Sequence, residues 1–258
     1  MIPVRRRAAA FLAILAAGAL SALARAPEPD ADPGGARFDA ARLRTGSFVY
    51  RILERGQEVA RITCTVRKRS DDSYEFTGDA TGGYSQHWEA RATPSLQPTF
   101  AMLRIGTGER QSSFSLNYDG DHVTGQAVKA GRPAASGKAP PAPEEKTIEE
   151  RLPAGTVDQR IDWAAVLASR LETGQKFDFT VYDPWSGVSR VAGRVGDVEI
   201  IRVPAGAYEA YRLTYTITSS KGAEPYQMLA TKDVPHMSVR EDFPSGESSE
   251  LVEVHDAP

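Results

Sequence analysis

The sequence predicts a mainly β protein: a large curved antiparallel sheet or open barrel with one amphipathic helix packed on it. Three observations carry this. From Thr45 onward, short runs of alternating apolar and polar residues recur between turn residues. Helical apolar spacing is convincing only over residues 157–172. That helix falls between two runs of strands, and in a β protein its apolar stripe has to be buried against a sheet.

The first 24 residues stand apart. Arg5, Arg6 and Arg7 form a basic start, Ala8–Leu20 an apolar stretch, and Ala22-Leu23-Ala24 a small-x-small cleavage pattern, so residues 1–24 are expected to be a signal peptide. The stretch is shorter than the roughly 20 apolar residues of a membrane span. Cutting after Ala24 removes those three arginines and no acid, taking the formal charge from −3 to −6. A mildly acidic product argues against nucleic acid as partner, because phosphate binding needs a basic footprint. No Lys/Arg run suggests docking to anionic lipid surfaces. Cys64 is the only cysteine, so an internal disulfide is excluded, and the thiol lies far from any N-terminal lipidation position. A soluble periplasmic or secreted protein is expected.

Residues 25–42, rich in Pro, Asp and Ala, are expected to be a disordered leader, followed by one β-rich domain over 43–256. "SFVYRILERGQEVARITCTVRK" is a hairpin that turns at Arg55-Gly56, and its alternation puts Cys64 on the apolar side as a small buried hydrophobe. "SYEFTGDA", "SQHWEARAT", "TFAMLRIG", "SFSLNY" and "HVTGQAVK" continue as strands, the last two turning at Asp119-Gly120-Asp121. Residues 130–150, with four prolines and clustered charge, are expected to be an exposed loop. In the helix, Thr156 and Gln159 have capping-box spacing, Ile161, Ala164, Ala165, Ala168 and Leu171 form the stripe, and Gly174 supplies the stop. Strands then resume from "KFDFTVYD" to "SSELVEV", for about a dozen in all. Between two of them lies Val203-Pro204-Ala205-Gly206. Pro204 fixes φ and lacks an N–H, Gly206 permits positive φ, and together they pin the register of the flanking strands.

The order "LETGQKFDFTVYD", "VGDVEIIRVPAGAYEAYRL", "PHMSVREDFPSGESSELVEV" resembles a widespread family of exported bacterial proteins grouped as a domain of unknown function. Its members carry a Val-Pro-Ala-Gly-aromatic corner, matched by Val203, Pro204, Ala205, Gly206 and Tyr208, and a late glycine and leucine, matched by Gly246 and Leu251. The resemblance covers residues 150–254 and extends back to Thr45. It implies a twisted antiparallel sheet wrapped over helical material, similar in general shape to the half-barrel lipoprotein carriers of the LolA and LolB type. It transfers no catalytic residue. Many relatives carry an aromatic residue near the position of Met228-Leu229, and this chain does not.

Chemistry-bearing motifs are absent. His87, His122, His236 and His255 have no metal-ligand spacing, no G-x-S-x-G elbow is present, and "IGTGERQ" lacks the lysine of a phosphate loop. Glu241 and Asp242 are adjacent on a strand and so face opposite sides. Neither an enzyme nor a cofactor is expected. The aromatic residues read first as core, since aromatics dominate β-cores, and second as the lining of a binding cleft between sheet and helix, with Trp88, Trp163, Tyr211 and Tyr215 as that lining. The expected function is non-enzymatic binding of a lipid or other apolar or amphipathic envelope molecule. The alternative is an envelope scaffold or assembly factor that engages a protein partner through a sheet edge.

Overall fold

The computed structural model describes residues 37–83, 85–106, 111–131 and 141–257; the expected signal peptide lies outside them, as do residues 25–36 of the expected leader. Among the described residues fifteen strands form one sheet, in the spatial order β8 (Glu144–Arg151), β7 (His122–Lys129), β6 (Ser112–Asp119), β5 (Pro98–Ile105), β4 (Gln86–Ala92), β3 (Tyr74–Gly82), β2 (Gln57–Lys68), β1 (Gly46–Glu54), β15 (Glu247–Asp256), β14 (Ser238–Asp242), β13 (Gly222–Thr231), β12 (Gly206–Ser219), β11 (Gly187–Val203), β10 (Lys176–Asp183), β9 (Val157–Asp158). Strands β1 (Gly46–Glu54) to β8 (Glu144–Arg151) make one meander, and β10 (Lys176–Asp183) to β15 (Glu247–Asp256) make another. Antiparallel pairing of β1 with β15 fuses the two meanders, so the first and last strands meet in the middle of the sheet. Neighbours are antiparallel throughout except β9 (Val157–Asp158), which runs parallel to β10. The sheet is open and curved rather than a closed barrel: β8 and β9 are its edges.

Local sequence explains the turns. Arg55 and Gly56 both take positive φ (52° and 80°), the geometry a two-residue hairpin needs to match strand twist. At the Pro204-Ala205 corner, Val203 pairs with Gly206, whose φ is 139°, joining β11 (Gly187–Val203) to β12 (Gly206–Ser219). Register slips between Val195 and Val198, a bulge beyond which Val198 and Ile200 are exposed, Ile200 at 71%, while Val203 still packs against the core.

The two ends of the sheet roll toward each other without pairing. Tyr118 on β6 (Ser112–Asp119) donates to Asp158 Oδ2 on β9, and Lys146 Nζ on β8 reaches the Pro184 carbonyl at 3.3 Å. Between them lies Arg160, with only 8% of its side chain exposed. It bonds Asp158 at 3.1 Å and Asp183 at 2.9 Å and stacks over the Phe114 ring at 4.8 Å.

The helix is shorter than its sequence pattern suggests. Helix α1 spans Asp162–Ala168, where 157–172 was expected. Val157 and Asp158 are drawn into β9, and Gln159–Ile161 form a 3-10 turn capped by Asp158, whose carboxylate accepts from Arg160 N at 2.7 Å. Thr156 therefore caps nothing; its hydroxyl bonds Pro153 O and Thr180. Ala164 to Ala168 are all buried, so α1 is enclosed on every side and not merely along a stripe.

Two expected irregular segments are partly ordered. Residues 37–42 belong to the fold: Phe38 packs edge-on against Phe179 at 5.3 Å, and Asp39 N bonds the Ala168 carbonyl at the end of α1. The Pro-rich loop expected over 130–150 gives way at Glu144 to β8, which pairs with β7 (His122–Lys129) along its length. Residues 132–140 of that loop lie outside the described residues.

Candidate functional site

The turn after β10 sets the geometry of the site. Asp183 Oδ1 accepts from the backbone N–H groups of Trp185 (2.9 Å) and Ser186 (3.0 Å), an Asx turn that fixes Asp183 opposite Gly187. Counting back along the hairpin, that register sets Lys176 directly opposite Arg194. The same row continues through Thr214 on β12, Gln227 on β13 (Gly222–Thr231) and Asp242 on β14 (Ser238–Asp242). These residues alternate with buried Phe177, Val195, Leu213 and Met228, so the row stands on the face of the sheet away from the core. Beside it runs a second row, Ala192, Thr216 and Pro225. The two rows, together with Phe243, Pro244 and Gly246 of the β14–β15 turn and with Gly193, Tyr215 and Tyr226, line an open trough of about 840 Å³. A smaller depression of about 400 Å³, lined by Arg55, Arg240 and Glu250 among others, shares Asp242, Phe243 and Gly246 with it.

On the core face of the same strands an aromatic stack meets two acids. Tyr215 and Tyr226 lie parallel with centroids 5.3 Å apart, and the Phe243 ring meets Tyr226 edge-on at 6.3 Å. The Tyr215 hydroxyl donates to Glu241 Oε1. Burial pushes the Glu241 carboxyl up to about 8; the charges of Asp162 and Asp242 add to this, and the Tyr215 hydrogen bond opposes it. At the start of α1, burial pushes Asp162 up to about 7 against the hydrogen bond from Trp163 N. Burial first, then the carboxylates of Glu241 and Asp79, push the Cys64 thiol up to about 12, which makes it inert as a nucleophile. Burial thus favours the neutral form of Glu241 around neutral pH. Among the described residues no group of three His, Cys, Asp or Glu side chains could hold a metal ion.

Of the four residues singled out from sequence, Tyr215 lines the trough. Trp163, partly buried in the first turn of α1, donates Nε1–H to the Arg160 carbonyl at 3.0 Å and meets Phe76 edge-on at 6.2 Å. Its neighbour Asp162 acts electrostatically on both Tyr215 and Tyr226, so Trp163 and Tyr215 belong to one region of the interior. Trp88 is 5% exposed on β4 (Gln86–Ala92), in the other meander, laid over Gly78 so closely that a Cβ there would meet its indole at 2.1 Å. Tyr211 is partly buried between Val198 and Ala230. Glu241 and Asp242 do face opposite sides: the former meets Tyr215, the latter bonds Arg240 (2.9 Å) and Gln227 (3.2 Å). Sequence reasoning missed Lys176, Arg194, Tyr226 and Phe243. For the first two a signal existed in the Asp183 turn, from which the register can be counted.

The profile of a family described as proteins of unknown function, DUF3108, matches residues 44–244. No curated protein matches the chain. Two crystal structures are similar. One, from Bacteroides fragilis, is described as an exported protein with a YmcC-like fold; it is 10% identical, the match covers 85% of this chain and 100% of that one, and the TM-score is 0.36. The other, from Parabacteroides distasonis, is described as a lipoprotein; it is 12% identical, with 84% and 98% covered and a TM-score of 0.33. Among the described residues no helix is long and apolar enough to cross a membrane.

Proposed function

The chain belongs to the DUF3108 family, and we propose that it is an exported, non-enzymatic protein that holds an apolar or amphipathic molecule of the cell envelope. One observation carries the reading: the trough over β10–β14, which combines a volume of about 840 Å³ with Ala192, Thr216, Pro225 and Pro244 in its lining. That size falls within the roughly 300–1,000 Å³ of small-molecule sites, and the mix of apolar lining with a few polar groups fits such sites too. An acyl chain lying there gains roughly 25 cal/mol for each Å² of apolar surface removed from water, before the costs of ordering it. Export is supported by the basic, apolar and small-residue segments of residues 1–24.

The concave side is a poorer host, because α1 and the Phe38 segment fill it. The scaffold alternative finds less support at the sheet edges. β8 carries Glu144, Glu145, Lys146, Glu149, Glu150 and Arg151 in eight residues, the kind of charge that discourages strand addition, and β9 is only two residues long.

Native mass spectrometry of the protein purified from its own envelope, followed by titration with a fluorescent acyl probe, tests the reading. A reproducible co-purifying lipid-sized mass and saturable uptake of one probe per chain are expected. A bare protein mass with no uptake would sink it.

A further inference from the structure

Lys176 and Arg194 are exposed and stand directly opposite each other on β10 and β11, and among the described residues neither forms an ion pair or side-chain hydrogen bond. Their neighbours on the same face are all paired: Arg190 with Asp178, Arg212 with Glu199, Arg240 with Asp242 and Glu250. Like charges in direct cross-strand opposition repel. Directly opposed strand positions lie about 4.5–5.5 Å apart at Cα, a spacing at which two long cationic side chains converge on one oxyanion. Both residues line the trough, and Ala192, Thr216, Pro225 and Pro244 lie farther across it.

We propose that Lys176 and Arg194 form a head-group site for a single-chain lipid ending in an oxyanion, carboxylate or phosphate, whose tail runs across the sheet over Ala192 and Thr216 toward Pro225 and Pro244. This rests on the reading of the trough as a ligand site and adds to it the sign of the ligand's charge and the end at which its head lies. The chain as a whole is acidic, with a formal charge of −3, so a general attraction for anions does not supply the same effect. One oxyanion bridging the pair replaces a repulsion by two charge-assisted hydrogen bonds.

The test compares laurate with monolaurin, which has the same tail and an uncharged head, by calorimetry on the protein lacking residues 1–24. Three forms are used: the parent, Lys176→Gln/Arg194→Gln, and Thr216→Trp, which fills the trough from its own lining. Laurate is expected to bind the parent at least about tenfold more tightly than monolaurin, with the advantage shrinking as salt rises. The double variant is expected to lose that advantage while binding monolaurin unchanged, and Thr216→Trp to lose both ligands. Inorganic phosphate alone is expected to compete weakly; if it competes as well as laurate, the site is for a free oxyanion and the lipid assignment falls. Equal binding of laurate and monolaurin, unaffected by the double variant, overturns the head-group site and leaves the trough reading standing. Binding of neither ligand overturns both. Full binding by Thr216→Trp, with its melting temperature unchanged, places the ligand elsewhere and overturns the proposal.

Discussion

The outer face of this one sheet is built in two opposite ways. Across β1, β15 and β14 the charges alternate: Arg51 lies opposite Glu250 and Glu250 opposite Arg240. Ion pairs of 2.7 and 2.9 Å join them, and a further 2.9 Å pair links Arg240 to Asp242. Across β10 and β11 the same kind of row sets Lys176 against Arg194, with no acid between them. The first arrangement supports strand pairing and the second works against it. Sequences that satisfy a rule in one place and break it a few strands away do so most often where a ligand or partner supplies the missing term.

Breaking the well-matched row has the largest expected effect. Glu250→Ala removes the acid shared by Arg51 and Arg240, leaving Arg51 opposite Arg61 and Arg240 with Asp242 as its acid partner. The Glu250 side chain is 12% exposed, between the exposed and the fully buried case. A loss of about 2–3 kcal/mol is expected, read as a fall in melting temperature. No change would mean that the ladder is ornamental and the contrast between the two rows has no energetic content.

The next effects lie on the core face. Tyr215→Phe leaves Glu241 without its donor and is expected to cost about 1–2 kcal/mol. Because that hydrogen bond holds the Glu241 carboxyl down, the variant raises it further. The sign of the pH dependence follows from the raised values. In the folded protein Glu241 titrates near 8 and Asp162 near 7, both well above their usual range, so the folded state binds more protons than the unfolded chain. Their contribution to stability is full below the ordinary carboxylate range and is lost as pH rises through about 7–8. Unfolding free energies measured between pH 5 and 9 should therefore fall with pH in the parent and flatten in Glu241→Gln. The Asp162→Asn/Glu241→Gln pair should be flattest. Tyr50, Cys64 and Tyr226 stay protonated through that range, since burial raises each of them above its ordinary value. A parent profile that rises between pH 7 and 9, above the range in which His236, lowered by burial, adds an opposing rise, would show that these two acids are not buried as described.

Which of these features could be read beforehand depends on how local their cause is. The Arg55-Gly56 turn and the alternation of Leu213, Tyr215 and Ile217 are encoded by adjacent residues, and both stand in the structure. The start of α1 was misplaced because Thr156 and Gln159 have cap spacing, while the competing partners of Val157 and Asp158 lie on β10 and β6, far along the chain. β8 was missed because Ile148 is its one buried apolar residue; "EEKTIEER" is a strand only because β7 offers it a ladder. In the site, alternation told that Glu241 and Asp242 diverge but not that Tyr215, two strands over, would meet the first. The Lys176–Arg194 pair is a matter of register, legible only once the Asp183 turn is recognised.

The smallest expected effect sharpens the comparison most, because its sign is unusual. Removing exposed charges from a sheet is normally neutral or slightly harmful. If Lys176 and Arg194 repel each other with nothing in return, Lys176→Gln should stabilise the ligand-free protein by about 0.2–1 kcal/mol. The same substitution at Arg190, whose guanidinium is engaged by Asp178, should not stabilise it. Thermal unfolding of both variants, in low salt and again in high salt, separates the cases. The gain at Lys176 should shrink as salt screens the repulsion. A loss of stability at Lys176 in low salt would show that an acid already balances this corner, and the two rows would then differ in geometry but not in energy.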